Sequence, residues 1–485
     1  MTLLISTVAI IFLASNIYLG LPPYAFSDSG SGSGSCPCQP SRVPQYFQTS
    51  PELWPGATAT GKPAFMAQTR AFEPTAATTF VPNDPLQTSI PIEGMTEGNK
   101  SIFKMMGHLS PYSPSPGFGV DEYPIPEGAE IVQIQMLSRH GARYPNPDSD
   151  VAELGECIAN ASGKFNTKGP LGFLMDWKYE LGQDILVPKG RQELFDSAKA
   201  DYKSPVETWV EIYLQDATSR FNNMTDGFKW TLADVYAAQK MCPFETVAYG
   251  SSRFCDLFTY EEWQSFSYSI DLSFSSGAAF HSATGRAVGL GYQQEVIARL
   301  KNHTLGDSGS QINTTLDGMK ETFPLNQSLY FDFSHDKDII SILTAFGLRQ
   351  FAEELPADKY PGNHEFTVSH ITPFGARLYI EIIKAHKPVS PARDRYLEGN
   401  DTKYIHFILN QRTIPLGKSF PECDVNRKDG WCELDTFLKV QEEMAGKAKF
   451  DYACFGDYPS LPYGKVTDGA PPSCYIRYKY GCHWG

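Results

Sequence analysis

A chain of 485 residues, 41% apolar and 13% aromatic, can bury a large core as one large or two fused domains. Its net charge of -14, with no basic cluster interleaved with aromatics, excludes a nucleic-acid-binding surface. An anionic ligand has to be drawn by local charge in a cleft.

The N-terminus is apolar from Leu3 to Gly20 apart from scattered Ser, Thr and Asn, so residues 1–21 read as a signal peptide or signal anchor. No Lys or Arg precedes Arg42, so charge bias sets no orientation, and a cleaved signal and a retained membrane anchor both stay open. Residues 22–40 contain the Ser/Gly alternation Ser29 to Ser35 and read as a flexible linker. Residues 40–128, rich in Pro, Gly, Thr and Ser, are expected to form an extended arm over the domain. Sequons at Asn99, Asn160, Asn223, Asn302, Asn313, Asn326 and Asn400 fit a secreted or cell-surface glycoprotein. The 10 cysteines include no CxxC pair, and behind an export signal disulfides are favoured over metal. Cys242 with Cys255, and Cys423 with Cys432, close short loops that a bridge could span.

Regular structure is expected from Glu130 onward. Val132, Ile134 and Met136 alternate with Gln133 and Gln135, which predicts a strand running into Arg139. Residues 190–200 and 206–240 read as helical. Leu329 to Phe333 reads as a second strand and Asp338 to Leu348 as a helix. Phe374 to Ile383 and Tyr404 to Ile414 read as two further strands. This alternation predicts an α/β fold, a mixed sheet flanked by helices, followed by a surface tail over residues 466–485.

Two motifs carry chemistry. Arg139, His140, Gly141, Ala142 and Arg143 put a histidine between two arginines at the end of the first strand, and Ser334, His335 and Asp336 follow the second. The arginines can supply forked donors to a phosphate, whose transfer depends largely on positioning and charge stabilisation. His140 is the candidate nucleophile, and two adjacent guanidinium charges should keep it neutral in acid. Asp336 is the candidate proton donor to the leaving alcohol, and His335 can contact the phosphate. If the first motif opens into a helix, backbone N–H groups add to the anion site. Alone, an Arg-His-Gly is a surface turn and a His-Asp pair a helix cap. Both here follow strands, where open α/β sheets place their crevices. Gly306 to Gly309 resembles a protease nucleophile turn but lies in a polar, sequon-flanked loop. No metal-binding or nucleotide-cradling motif is present, so no cofactor and no metal are expected.

The likeness to known proteins spreads from these motifs. Leu186 to Leu194, Met241 to Thr246, Phe254 to Phe258, Gly291 to Leu300 and Thr322 to Leu348 resemble segments of the histidine acid phosphatases, in their fungal phytase and acid phosphatase branch. The resemblance runs from about residue 120 to 460 and implies an α/β domain with a smaller helical cap, the active site lying between them. It implies hydrolysis of phosphate monoesters at acidic pH through a phosphohistidine on His140. Asp336 would be the proton donor, and Arg139, Arg143 and His335 would bind phosphate. Phytate and general small-molecule phosphate esters are both open as substrates. The His-Asp pair separates the chain from the related mutases, whose donor is typically a glutamate.

One departure stands out. The family carries a third phosphate-binding arginine after the helix that Gln192 to Leu194 resembles, and here Ala198 to Val206 runs directly into a cap helix. The domain expected over residues 41–465 therefore has a cap shortened around residues 157–300. Arg220 reads as a residue of that cap helix, not as the missing arginine. A shortened variant, catalytically impaired with an anion-binding or structural role, is the alternative; a gene reading that skipped coding sequence is the other explanation.

Overall fold

The computed structural model describes residues 101–472, apart from 147–148, 182–204, 250 and 307–308. The apolar N-terminus, the linker, most of the arm, the helix expected at 190–200 and residues 473–485 lie outside the described residues.

Strand β1, Ala129–Arg139, lies inside the main sheet between β4, Leu329–Ser334, and β5, Arg377–Ala385. It pairs parallel with β4, Arg139 opposite Ser334, and antiparallel with β5, Ser138 opposite Arg377. Beyond β5 come β6, Thr402–Leu409, and β7, Arg412–Ile414, with the short β8, Cys432–Glu433, also pairing β6. The strand expected over Tyr404 to Ile414 is thus a hairpin. Asn410 and Gln411 take φ of 48° and 67°, the left-handed pair that a two-residue turn requires.

Two helices cover one face of the sheet. In α6, Gly285–Lys301, a Cβ on Gly289 would lie 2.1 Å from the Ser341 carbonyl oxygen of α8, Asp336–Phe346, the helix after the single-turn α7, Thr314–Asp317, so only glycine permits this close approach. Ile339, Ile340, Leu343 and Phe346 of α8 are buried, and the Phe346 ring meets Phe407 of β6 at 5.2 Å.

A helical layer precedes α6. It comprises α1, Asp150–Ala161, α2, Pro205–Tyr213, α3, Gln215–Asn223, α4, Leu232–Tyr249, and α5, Tyr260–Ala278. The helix expected over 206–240 is therefore three helices. The break between the last two holds Thr225–Asp226 (β3), which pairs with Asn166–Thr167 (β2). Trp209, Trp230, Trp263, Phe221 and Phe266 form the core of this layer, and disulfides join Cys242 to Cys255 and Cys423 to Cys432.

The ends of the domain are better integrated than their composition suggests. Ile102, Phe103, Met106 and Leu109 are buried in and around two short 3-10 turns, so this part of the arm belongs to the core, whereas residues 119–128 are exposed or half-buried. Residues 466–472 are not a surface extension either. The Asp468 carboxylate and carbonyl bind Arg286 of α6, and Gly469 exchanges backbone hydrogen bonds with Phe280 and Arg286.

Candidate active site

Because β1 and β4 run parallel in register, their C-terminal ends deliver both motifs to the same edge of the sheet. Arg139, the last residue of β1, is 1% exposed, so its charge has to be matched inside the protein. One Nη1 donates to the carbonyls of His108 at 2.5 Å and Thr372 at 2.8 Å, and Nη2 donates to Asp336 Oδ2 at 2.6 Å. The guanidinium also lies over the Phe374 ring, 4.8 Å from its centroid. So held, it is a preorganised anion clamp.

His140 follows, with its backbone N–H on the Ser334 carbonyl and its own carbonyl accepting from Gly375. Its Nδ1 donates to the Gly141 carbonyl at 2.7 Å, which leaves the lone pair on Nε2. Burial pushes the ring down to about 3, with Arg139 and Arg143 acting in the same direction against Asp336 and the Gly141 carbonyl. The imidazole is therefore neutral through most of the acidic range. Among the described residues no helix follows the motif before α1 at Asp150, so the helix that opens at this site is α8.

His335 is the N-cap residue of α8, and its ring centroid lies 5.5 Å from that of His140. Asp336, the first residue of the helix, accepts Lys337 N on Oδ1 at 2.8 Å and Arg139 on Oδ2. Burial raises its carboxyl, but Arg139, His108 and His140 outweigh burial and hold it well below the usual carboxylate range. Beside Arg139, then, Asp336 is ionised. A phosphoryl group that engages Arg139 takes away that stabilising charge and raises the carboxyl.

Arg143 is half-buried and directs Nη1 to Asn146 Oδ1 at 2.6 Å and to the Tyr144 carbonyl at 3.1 Å. Arg220 is placed away from the site, bidentate on Glu262 at 3.0 and 2.8 Å and on the Leu257 carbonyl. Ala198 to Val206, where the family's third arginine segment would fall, lies mostly outside the described residues. Among the described residues no cluster of His, Cys, Asp and Glu is arranged to hold a metal.

Sequence reasoning missed His108, Thr372 and Phe374. His108 contributes a carbonyl to Arg139, and its ring packs on Phe274 at 5.0 Å. Burial pushes this imidazole down to about 3, with Asp336 opposing and Arg139, Lys240 and Lys337 assisting. Backbone acceptors carry no residue-type signal, and His108 lies 31 positions before Arg139 in a segment without periodicity.

A sequence model of the histidine phosphatase superfamily (branch 2) matches residues 130–204 and 200–410, more than half of the chain. Phytase A of Aspergillus fumigatus is 29% identical over 402 residues, 65% of this chain and 83% of that protein. Phytase A of Emericella nidulans is 28% identical over 425 residues, 70% of this chain and 88% of that protein. The fold is shared with the crystal structure of the phytase from D. castellii, with a TM-score of 0.55 and 21% identity over 74% of this chain and 89% of that one. On this match and the shared fold, the chain belongs to the histidine phosphatase superfamily, branch 2.

Proposed function

We propose that this chain hydrolyses phosphate monoesters at acidic pH through a phosphohistidine formed on Nε2 of His140. The observation that carries the reading is a neutral imidazole, fixed by the Gly141 carbonyl, beside a buried arginine and a carboxyl at the head of α8. Nε2 attacks phosphorus and the P–O ester bond breaks, while Asp336, which takes its proton from the substrate monoanion once phosphate engages Arg139, protonates the departing alcohol. Water then attacks phosphorus, Asp336 takes a proton from it, the P–N bond breaks and inorganic phosphate leaves. Arg139, Arg143 and His335 hold the transferring group. The relatives' name, phytase, supports phytate among the substrates.

Secretion, or display at the cell surface, is part of the same reading. Two disulfides fit an oxidising compartment. The described sequon asparagines Asn160, Asn223, Asn302, Asn313, Asn326 and Asn400 are all exposed, as glycosylation needs. Among the described residues no helix is long and apolar enough to cross a membrane.

The test is turnover of p-nitrophenyl phosphate and phytate across acidic pH by the wild type and by His140→Ala. Release of phosphate by the wild type alone is expected, with a covalent, alkali-stable phosphoprotein trapped on rapid quenching. A folded wild type without turnover sinks the enzyme reading, and turnover retained in His140→Ala sinks the nucleophile.

A further inference from the structure

Behind the phosphate site lies a buried ion pair that the chemistry above does not use. His364 and Asp271 of α5 have side chains only 4% and 1% exposed, with His364 Nε2 2.9 Å from Asp271 Oδ2. The other ring nitrogen, Nδ1, faces the Gly362 carbonyl at 2.7 Å. Both nitrogens thus face acceptors, and an imidazole satisfies both only by donating twice, as the cation.

The second oxygen of Asp271 does something further. Oδ1 accepts the backbone N–H of Val368 at 2.7 Å, the first residue of the short helix α9, Val368–Ile371. Thr367, its N-cap residue, makes no side-chain cap, so the cap comes from another helix. At the other end Asn410 Nδ2 binds the His370 and Ile371 carbonyls at 2.8 and 3.0 Å. The chain then passes straight under the catalytic motif. The Thr372 carbonyl holds Arg139 Nη1, Phe374 lies under its guanidinium, Gly375 N–H binds the His140 carbonyl, and the Ala376 carbonyl accepts Arg139 N–H at 2.8 Å.

We propose that Asp271 and His364 are positioning residues for the phosphate site: the pair clamps the segment His364 to Ala376 beneath Arg139 and His140, and it does so while His364 is protonated. The inference rests on the reading of Arg139 as the phosphate clamp. A cavity of about 710 Å³ lined by Asp271, His364, His370, Tyr268, Tyr360 and Glu353 gives water access to the pair.

The groups around His364 define the pH window. Burial lowers its pKa, but Asp271, the Gly362 carbonyl and Glu353 outweigh burial and raise it above the ordinary imidazole value. The Tyr268 and Tyr360 rings stand nearly perpendicular to the imidazole, and Glu365 next in sequence is paired with Lys418. His370 is pushed down to about 4 by burial, His364 and Lys104, so it stays neutral where His364 titrates. Because the folded pKa is raised, the clamp is fully present below the unfolded imidazole value and is lost as pH rises through the folded one. Burial raises the Asp271 carboxyl as well, which bounds the clamp on the acid side.

Calorimetric binding of inorganic phosphate to the full chain tests this from about pH 5 to about pH 8. Dividing the dissociation constant of His364→Gln by that of the wild type cancels phosphate's own ionisation. The expected ratio is about fivefold at pH 5 and falls toward one as pH rises through the raised imidazole value, because the neutral amide cannot strengthen in acid. A ratio that does not vary with pH, unity included, overturns the inference, since a merely structural role would not follow the titration. If His364→Gln does not fold, Asp271→Asn carries the same comparison. Arg139→Ala separates the two readings. Weakened phosphate binding there with a flat ratio sinks the clamp alone, whereas full affinity in Arg139→Ala sinks the site reading itself.

Discussion

At the scale of single residues, two ionisations govern the site, and each sets a measurable limit. His140 must be neutral to attack, and burial has lowered it to about 3, so kcat/KM for a phosphate monoester should hold down to about pH 3. Asp336 is a carboxylate beside Arg139, so the proton for the leaving group enters with the substrate monoanion, and kcat/KM should fall above about pH 6, where a monoester loses its second proton. A profile of kcat/KM against pH checks both limits; an acid limb near the ordinary imidazole value would contradict the neutral nucleophile. Asp336→Asn tests the donor separately. The loss should be about a hundredfold to ten-thousandfold in kcat for an alkyl phosphate, and much smaller for p-nitrophenyl phosphate, whose leaving group needs no proton. Equal losses for the two esters would show that Asp336 is not the acid. The residues that sequence exposed here, Arg139, His140, His335 and Asp336, are local: each motif is contiguous and follows its own strand. What sequence could not expose is the support beneath them, because the Thr372 and His108 carbonyls act through the backbone and Phe374 through packing.

At the scale of elements, the helical layer shows why Arg220 is a structural residue. Helix α5 opens with a capping box in which Thr259 Oγ1 accepts Glu262 N–H at 3.2 Å and Glu262 Oε2 accepts Thr259 N–H at 2.9 Å. The same Glu262 carboxylate is gripped by Arg220 of α3, so one acid joins a cap to an interhelical contact. Thr259→Ala should cost about 1 kcal/mol in denaturant unfolding. Arg220→Ala should lower stability as well, and in both variants kcat and KM should match the wild type. A rise in KM confined to Arg220→Ala would return this residue to the phosphate site. Regular apolar spacing marks some elements of the chain and leaves others unmarked. Strands β1 and β4 and helix α8 were legible because their apolar spacing is regular and their ends carry motifs. The β6–β7 hairpin was not, since Asn410 and Gln411 interrupt the apolar run without a glycine or proline to mark the turn. Nor was the integration of residues 466–472, which depends on Arg286 reaching their carbonyls and carboxylate.

At the scale of the whole molecule, an α/β sheet flanked by helices was legible from the alternation of elements, yet the flanking is uneven among the described residues. Helices α6 and α8 bury one face, whereas on the other Leu329, Phe331 and Phe333 of β4 are 60%, 47% and 42% exposed. These three point the same way because side chains alternate along a strand, and β4 is also the edge of the sheet. A parallel pair is normally covered on both faces, so among the described residues this stripe is an apolar surface left without cover. The tryptophans of the helical layer are buried, so among the described residues this uncovered apolar stripe belongs to the sheet and not to that layer. An exposed apolar edge strand favours pairing with other chains, and lysines placed on such an edge oppose it. The double variant Leu329→Lys with Phe331→Lys should therefore bind less of an apolar-surface dye and stay monomeric at higher concentration. Each exposed substitution should shift unfolding by no more than about 0.5 kcal/mol, and turnover should not change, since neither side chain approaches His140. Light scattering and denaturant melts decide the point. A loss of several kcal/mol would mean that this face is buried in solution, and unchanged dye binding would mean that the stripe is not the exposed surface the dye detects.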